Sequence, residues 1–394
     1  MILRFEDCEL DTGRFELHRG GAAVPVEPQV FDILRVLIEN RERIVTKDEL
    51  FATVWDGRIV SDGTLNSRIN AARKAIGDNG TDQRLIRTAP RRGFRFVGKV
   101  DSAEDASSGA PSKPPLNQNV QFCTAPDGVR IAYATLGEGP ILVKSANWLN
   151  HLEHDWESAL WRPRLEDLAE GRRLVRYDAR GCGLSDWDVA DISFDAFVRD
   201  LETVVDSLGL ERFALWGLSQ GCPVSIAYAV RHPERVSHLI LLGGYVQGRD
   251  RRKDPAELEK AAALRSLIRH GWGDEHSPLL RALSTTMIPG ATSEQVSALV
   301  EMQRRSATAE NALRTREVCD DIDVAPLLPQ VGVPTLVLHS RHDAVAPFEQ
   351  GRLMASSIPG ARFVSLESEN HIPLPDEPAW ERFVAEMNAF LASA

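Results

Sequence analysis

Cysteine is scarce: five in 394 residues, at positions 8, 123, 182, 222 and 319. The number is odd and no pair has Cys-x-x-Cys spacing, so the pattern gives neither a disulfide framework nor a zinc site. Long apolar runs are missing as well. The best, Leu239–Gly244, has the length of a buried strand, far below the ~20 residues of a membrane span. The first ten residues, MILRFEDCEL, lack the layout of a secretory leader. Internal repeats and heptads are absent too. A reducing cytoplasm is therefore the expected location, with no membrane partner, no metal and no cofactor. The composition, 43% hydrophobic and 26% charged, excludes wholesale disorder. The length allows two or three domains of roughly 100–200 residues each.

The formal charge of −11 is unevenly spread. Residues 1–100 hold 17 Lys/Arg against 15 Asp/Glu, and residues 101–394 hold 29 against 42. Residues 84–99 contain Arg84, Arg87, Arg91, Arg92, Arg95 and Lys99 and no acid. A basic patch at one end of an acidic chain points to a polyanionic partner for that end alone. Residues 101–118, DSAEDASSGAPSKPPLNQ, have Leu116 as their one large apolar residue. Such a stretch buries too little to offset its ordering entropy and reads as a flexible linker.

Before that linker, Ile2–Phe5, Arg14–His18 and Ala23–Val26 read as short strands. Pro28 suits a first helical turn, and Phe31, Leu34, Leu37 and Ile38 follow at helical spacing. Thr46-Lys47-Asp48-Glu49 has the pattern of a capping box and starts a second helix through Leu50, Val54 and Trp55. Ser61 or Asp62 caps a third, with Leu65, Ile69, Ala72 and Ile76 inward and Gly77 at its end. Leu85–Thr88 and Phe94–Val97 form a closing hairpin around Ala89-Pro90-Arg91-Arg92-Gly93. The third helix turns Thr64, Ser67, Arg68, Asn70, Ala71, Arg73 and Lys74 away from its apolar stripe. Such a face suits the major groove, where amides read bases and cations hold phosphates. It equally suits a solvated surface.

The order of elements decides between the two: strands, three helices and a hairpin make a winged helix. The segments PVEPQVFDILRVLIENRERIVTKDELFATVW, GRIVSDGTLNSRINAARKAIGD and RLIRTAPRRGFRFVGKV resemble the OmpR/PhoB-type winged-helix DNA-binding domain across residues 1–100. The resemblance implies double-stranded DNA as a partner. It implies base-facing positions at Ser67, Asn70 and Ala71, near Thr64, and phosphate or groove contacts from Arg68, Arg73, Lys74, Arg92 and Arg95. Arg91 joins them at the hairpin tip. No phosphoacceptor domain precedes this region and no membrane span follows it, so the signal is expected from the C-terminal part.

Residues 119–394 alternate strand and helix, as in a parallel sheet flanked by helices. The expected strands are Ile141–Lys144, Arg173–Tyr177, Arg212–Trp216, Leu239–Gly243, Thr335–His339 and Arg362–Leu366. About 90 helical residues after the fourth exceed a plain connection and read as an inserted cap, roughly 245–325. Gly217-Leu218-Ser219-Gln220-Gly221, between a strand and the helical stretch Pro223–Arg231, is a nucleophile elbow. Asp343 follows the fifth strand and His371 the last, so Ser219, Asp343 and His371 stand in the order of a hydrolytic triad. With the segment YDARGCGLSDW, this half resembles the α/β-hydrolase superfamily. The fold expected is thus α/β: an N-terminal winged helix-turn-helix and a C-terminal α/β-hydrolase fold with a helical cap.

Many members of that superfamily carry a His-Gly pair after the early strand. Here the strand runs into Lys144-Ser145-Ala146-Asn147-Trp148. One oxyanion donor is expected from the Gln220 N–H and the other from Asn147 or Trp148. Trp148, Trp156 and Trp272 are candidates to line a ligand pocket. Asp178 and Arg180 read as structural, Cys222 as a buried small residue, and His151 with His154 as too few for a metal. The function expected is a one-component, ligand-responsive transcription regulator, acting as a homodimer whose hydrolase-like part binds a small organic molecule. The alternative is an active serine hydrolase for an ester, lactone or amide that carries a DNA-binding domain.

Overall fold

The computed structural model describes all residues except 1, 42, 56–59, 90–91, 103–115, 273–276 and 393–394. They fall into two compact units, Met1–Pro114 and Pro115–Ala394.

The first unit runs β1 (Ile2–Phe5), β2 (Cys8–Asp11), β3 (Glu16–Arg19), β4 (Ala22–Val24), α1 (Pro28–Glu39), β5 (Val45–Thr46), α2 (Lys47–Trp55), α3 (Asp62–Ala75), β6 (Ile86–Ala89), β7 (Gly93–Phe96) and β8 (Asp101–Ser102). One antiparallel sheet has the order β4-β3-β2-β1-β8, and a second the order β5-β7-β6. Local chemistry sets the helix starts. The Ser61 hydroxyl accepts the Thr64 N–H at the head of α3. Thr46 and Glu49 form the reciprocal box, with N–H to side-chain distances of 2.7 and 3.2 Å. Leu65, Ile69, Ala72 and Ile76 are all buried, against Ile33, Leu34 and Leu37 of α1 and Phe5 and Phe96 of the two sheets. Three elements differ from expectation. Val45–Thr46 is a strand, paired with Phe94 and Gly93 of β7. Cys8–Asp11 is a strand, and Asp101–Ser102, placed in the linker, pairs with Leu3 and Arg4. Residues 103–115 of the expected linker lie outside the described residues.

The second unit begins with a hairpin, β9 (Asn119–Thr124) and β10 (Arg130–Leu136), then β11 (Ile141–Lys144), α4 (Leu152–Glu157), α5 (Arg162–Ala169), β12 (Arg173–Tyr177), α6 (Phe194–Ser207), β13 (Phe213–Leu218), α7 (Gly221–Arg231) and β14 (Val236–Leu242). Four helices come next: α8 (Pro255–Gly271), α9 (Pro278–Met287), α10 (Ser293–Ser306) and α11 (Ala309–Asp321). The chain closes with β15 (Thr335–Ser340), α12 (Phe348–Ser357), β16 (Arg362–Leu366) and α13 (Pro378–Ala392). The strands form one sheet, β16-β15-β14-β13-β11-β12-β10-β9, parallel from β16 to β12 and antiparallel beyond. The central strands are buried on both faces, which is why they read as continuous apolar runs. Alternate residues serve opposite faces: Leu142, Leu174, Trp216 and Leu338 enter one core, and Val143, Val175, Leu215 and Val337 the other. β11 and β13 lie side by side although β12 separates them in sequence, with Lys144 paired to Trp216. At such a switch point the loops beyond the strand ends diverge and leave a crevice.

Candidate functional site

Ser219 stands in that crevice, between β13 and α7, with φ +53°, a backbone region that side-chain-bearing residues rarely adopt. The flanking glycines make the turn possible. A Cβ on Gly217 would lie 2.8 Å from the Cys222 Cα and the Gly221 carbonyl, and one on Gly221 3.0 Å from the Ala146 carbonyl. The Ser219 N–H donates to Leu242 O at 2.9 Å, which pins the turn to the next strand. Its hydroxyl is 2.8 Å from His371 Nε2, and His371 Nδ1 is 2.6 Å from Asp343 Oδ2. The other Asp343 oxygen accepts the N–H groups of Val345 and Ala346 at 2.7 and 3.0 Å. Burial alone would raise the Asp343 carboxyl, yet the adjacent His371 and these hydrogen bonds hold it below its ordinary value. His339 is fully buried and donates from Nε2 to Ala346 O at 2.9 Å, bracing the same turn.

The cap helices reach this site. The His371 N–H donates to Met287 O at 2.9 Å, and Asn370 accepts the Gly290 N–H at 2.9 Å. Trp148 donates its indole N–H to Gln303 at 2.9 Å. Beside Ser219 a cavity of about 20 Å³ remains, little more than one water needs. It is lined by Trp148, Gln220, Tyr245, Arg249, Arg252 and Arg316, among others.

Trp156 and Trp272 do not line it. Trp156 lies under the Arg162 guanidinium, 4.8 Å from its ring centre, while Trp272 packs edge-on against Trp148 at 6.2 Å. The Asn147 side chain is engaged elsewhere, with Lys144 and Trp148 O. The Gln220 N–H stands at the head of α7, where main-chain donors lack intrahelical acceptors. Leu149, beside Trp148, is strained at φ +36°. The three arginines were missed from sequence. Arg249 and Arg252 sit in the charged run GRDRRKD and Arg316 in the cap segment, and nothing in those patterns points to Ser219.

The neighbouring polar residues are structural. Asp178 accepts the N–H groups of Leu152 and Leu184, and burial pushes its carboxyl up to about 7. Arg180 bonds Asp200 at 2.9 and 2.8 Å, both side chains wholly buried. The Cys222 thiol is buried, 3.3 Å from Gly217 O, and burial pushes it up from its ordinary value. His151 accepts the His154 N–H as a helix cap. Among the described residues, no group of three or more His, Cys, Asp or Glu side chains could hold a metal.

In the first unit, Ser67, Asn70 and Lys74 are exposed on α3, and Thr64 and Ala71 are half-buried. Arg92 is exposed at the hairpin tip, and Arg91 lies outside the described residues. Arg95 is exposed on β7, its Nε donating to Arg41 O at 3.0 Å. Arg68 is drawn to Gln29 at 3.1 Å and Glu27 at 2.5 Å. Arg73 corrects the expectation of a phosphate or groove contact. It is 5% exposed, and its guanidinium donates to Ile86 O at 3.1 and 2.9 Å and to the Thr88 hydroxyl at 2.9 Å. It ties α3 to the hairpin. Arg87, part of the basic run of residues 84–99, is exposed and paired across the hairpin with Arg95. Like charges placed opposite each other cost stability, and an anion between them would remove that cost.

Comparison with known proteins agrees with both halves. Residues 155–378 match the alpha/beta hydrolase fold family, and residues 21–96 match the family of C-terminal domains of transcriptional regulatory proteins. Pyrrolizixenacetamide deacetylase of Xenorhabdus hominickii is 26% identical over 273 residues, 67% of this chain and 95% of that protein. Pimeloyl-(acyl-carrier protein) methyl ester esterase of Nitrosomonas europaea is 27% identical over 264 residues, 65% of this chain and 97% of that protein. Among solved structures, an esterase from Exiguobacterium antarcticum matches with a TM-score of 0.61 at 23% identity, over 69% of this chain and 99% of that one. A hydrolase from Pseudomonas aeruginosa matches with a TM-score of 0.57 at 26% identity, over 70% of this chain and 99% of that one. Among the described residues no helix is long and apolar enough to cross a membrane. The chain belongs to the α/β-hydrolase fold family and carries, ahead of that domain, a DNA-binding domain of the transcriptional-regulator type.

Proposed function

We propose that this protein is a one-component transcription regulator whose hydrolase domain binds a small acyl compound and thereby alters DNA binding. One observation carries the reading: an assembled Ser219–His371–Asp343 triad borders a cavity of about 20 Å³ that the cap helps to line. A resting site with room for one water must rearrange to admit a ligand. Differential affinity for the closed and rearranged states is what lets a ligand shift a population. Ligand and DNA affinities are then reciprocally coupled. Binding as a homodimer on paired half-sites fits the small surface a lone winged helix covers.

The relay distances favour a second reading, an active serine hydrolase. Ser219 Oγ attacks the acyl carbon while His371 Nε2 takes its proton, and Asp343 stabilises the imidazolium. The developing oxyanion is received by the N–H groups of Gln220 and Trp148. The imidazolium then protonates the leaving alcohol or amine, and a water activated by the same histidine releases the acid. Two relatives are named a deacetylase and an esterase, in keeping with this chemistry.

The test uses the full chain and its Ser219→Ala form, with short aryl esters and DNA from the chain's own promoter. The regulator reading expects log affinity for DNA to fall linearly with log salt, by roughly 0.9 per phosphate contact, with turnover near background. Rapid turnover that vanishes in Ser219→Ala, without salt-sensitive DNA binding, overturns it in favour of the hydrolase.

A further inference from the structure

The cavity beside Ser219 has a cationic wall. Arg249 and Arg252 lie between β14 and α8, and Arg316 lies on α11; all three line it and are almost wholly buried. Their counter-charges are too few. Asp320 is shared by Arg316 at 2.7 Å, Arg265 at 3.0 Å and Arg249 at 3.7 Å. Glu257 is shared by Arg252 at 2.7 Å, Lys260 at 2.8 Å and Arg249 at 3.8 Å. The three buried arginines thus share two carboxylates, which also pair the more exposed Arg265 and Lys260. Nε of Arg249 and Nε of Arg316 are buried without a hydrogen-bond acceptor. Uncompensated buried charge is costly, and a bound anion removes the cost. Guanidinium groups match a carboxylate with paired, directional hydrogen bonds.

We infer that the compound this domain binds carries a carboxylate at the end remote from its acyl group, received by Arg249, Arg252 and Arg316 while the acyl carbon faces Ser219. The inference rests on the reading of Ser219 as the point of acyl capture. It gives that reading a substrate class, monoesters or monoamides of dicarboxylic acids. The ligand carboxylate takes positions now shared with Asp320 and Glu257, so entry loosens α8 and α11 from the site.

Two measurements on the full chain test this. Calorimetry of the Ser219→Ala protein compares monomethyl adipate, an anion, with dimethyl adipate, its neutral counterpart. The anion is expected to bind at least tenfold more tightly, with that preference cut at least fivefold in Arg249→Met and in Arg316→Lys on the same background. Equal or tighter binding of the diester, or a preference untouched in folded arginine variants, overturns the inference. Should either variant fail to fold, the ratio in the parent protein and Arg252→Met decide. Separately, kcat/KM of the wild type is compared for mono-p-nitrophenyl adipate and p-nitrophenyl hexanoate, with Ser219→Ala as background. Preference for the adipate supports the inference, and preference for the hexanoate overturns it. If neither ester is turned over but the anion still binds, the cationic subsite stands and the hydrolytic reading alone falls.

Discussion

Replacing Arg73 by methionine separates a brace from a DNA contact. The side chain is buried and makes three hydrogen bonds across α3 and the hairpin. Methionine keeps most of the stem's volume and removes every donor. It leaves the Ile86 carbonyl and the Thr88 hydroxyl to find other partners. A hydrogen bond from a charged group contributes about 1.5–3 kcal/mol, and two of these three share one acceptor, so the loss should total about 2–4 kcal/mol. For a domain of 60–100 residues, each kcal/mol lowers the unfolding midpoint by ~4–8 °C. The N-terminal transition of the full chain should therefore fall by ~10 °C or more in calorimetry, with faster amide exchange over residues 84–97. Lys74, the next residue, is the control. It is exposed, so Lys74→Ala should leave stability within ~0.5 kcal/mol. If Lys74 holds a phosphate, its loss reduces the slope of log affinity against log salt by ~0.9, whereas Arg73→Met on still-folded protein leaves the slope unchanged. A stable Arg73→Met protein with a slope reduced by one phosphate would refute the brace.

Gly217→Ala should cost ester turnover at least ~100-fold, since displacing the elbow by even ~1 Å misplaces the nucleophile; kcat/KM on an aryl ester checks this. Asp78 accepts the N–H groups of Asn79, Arg84, Leu85 and Ile86 at 2.8–3.0 Å. Burial would raise its carboxyl, but the four donors hold it below the ordinary value. Because the folded value is the lower one, this stability is present above the unfolded value of about 4 and is lost as pH falls through the folded value. Melting the N-terminal domain from pH 7 down to pH 2 should show the loss, and Asp78→Asn should lack it while costing about 1.5–3 kcal/mol at neutral pH. Asp200→Ala leaves the Arg180 guanidinium buried without its main partner and should cost about 3–5 kcal/mol in denaturant unfolding of the hydrolase domain.

What the sequence discloses and what it hides divide along physical lines. Patterns written in neighbouring residues are legible: the Thr46–Glu49 box, the inward stripe of α3, the central apolar strands and the strained turn at Ser219. The order of Ser219, Asp343 and His371 is legible because each follows a strand end, and a parallel sheet brings strand ends together. The hairpin of β9 and β10 is harder to see. Its edge strand is mostly exposed and β10 is rich in alanine, so neither alternates clearly. Arg73 misleads because a basic side chain on an otherwise polar helix face looks like a phosphate contact, and its true acceptors lie on a strand more than ten residues away. The arginines around Ser219 are hidden for the same reason. Their charge and the cap that carries them are visible in sequence, but which cap side chains turn inward onto Ser219 is not.

That cap connects the ligand site to the triad through contacts that can be weighed. Met287 O holds the His371 main chain, Gln303 holds the Trp148 indole, and Val345 O, next to the turn that binds Asp343, accepts from Arg249 at 3.0 Å. Three such hydrogen bonds, at about 0.5–1.5 kcal/mol each, together contribute ~2–4 kcal/mol. Coupling free energies between sites are typically ~1–3 kcal/mol, so exchanging a part of this set is enough to bias two states of the domain. On the proposed reading, Arg249 is the member that a ligand carboxylate reaches directly. A compound that recruits Arg249 away from Val345 O therefore acts on the cap and on the acid of the triad together, whereas a neutral ester of the same length leaves that bond in place.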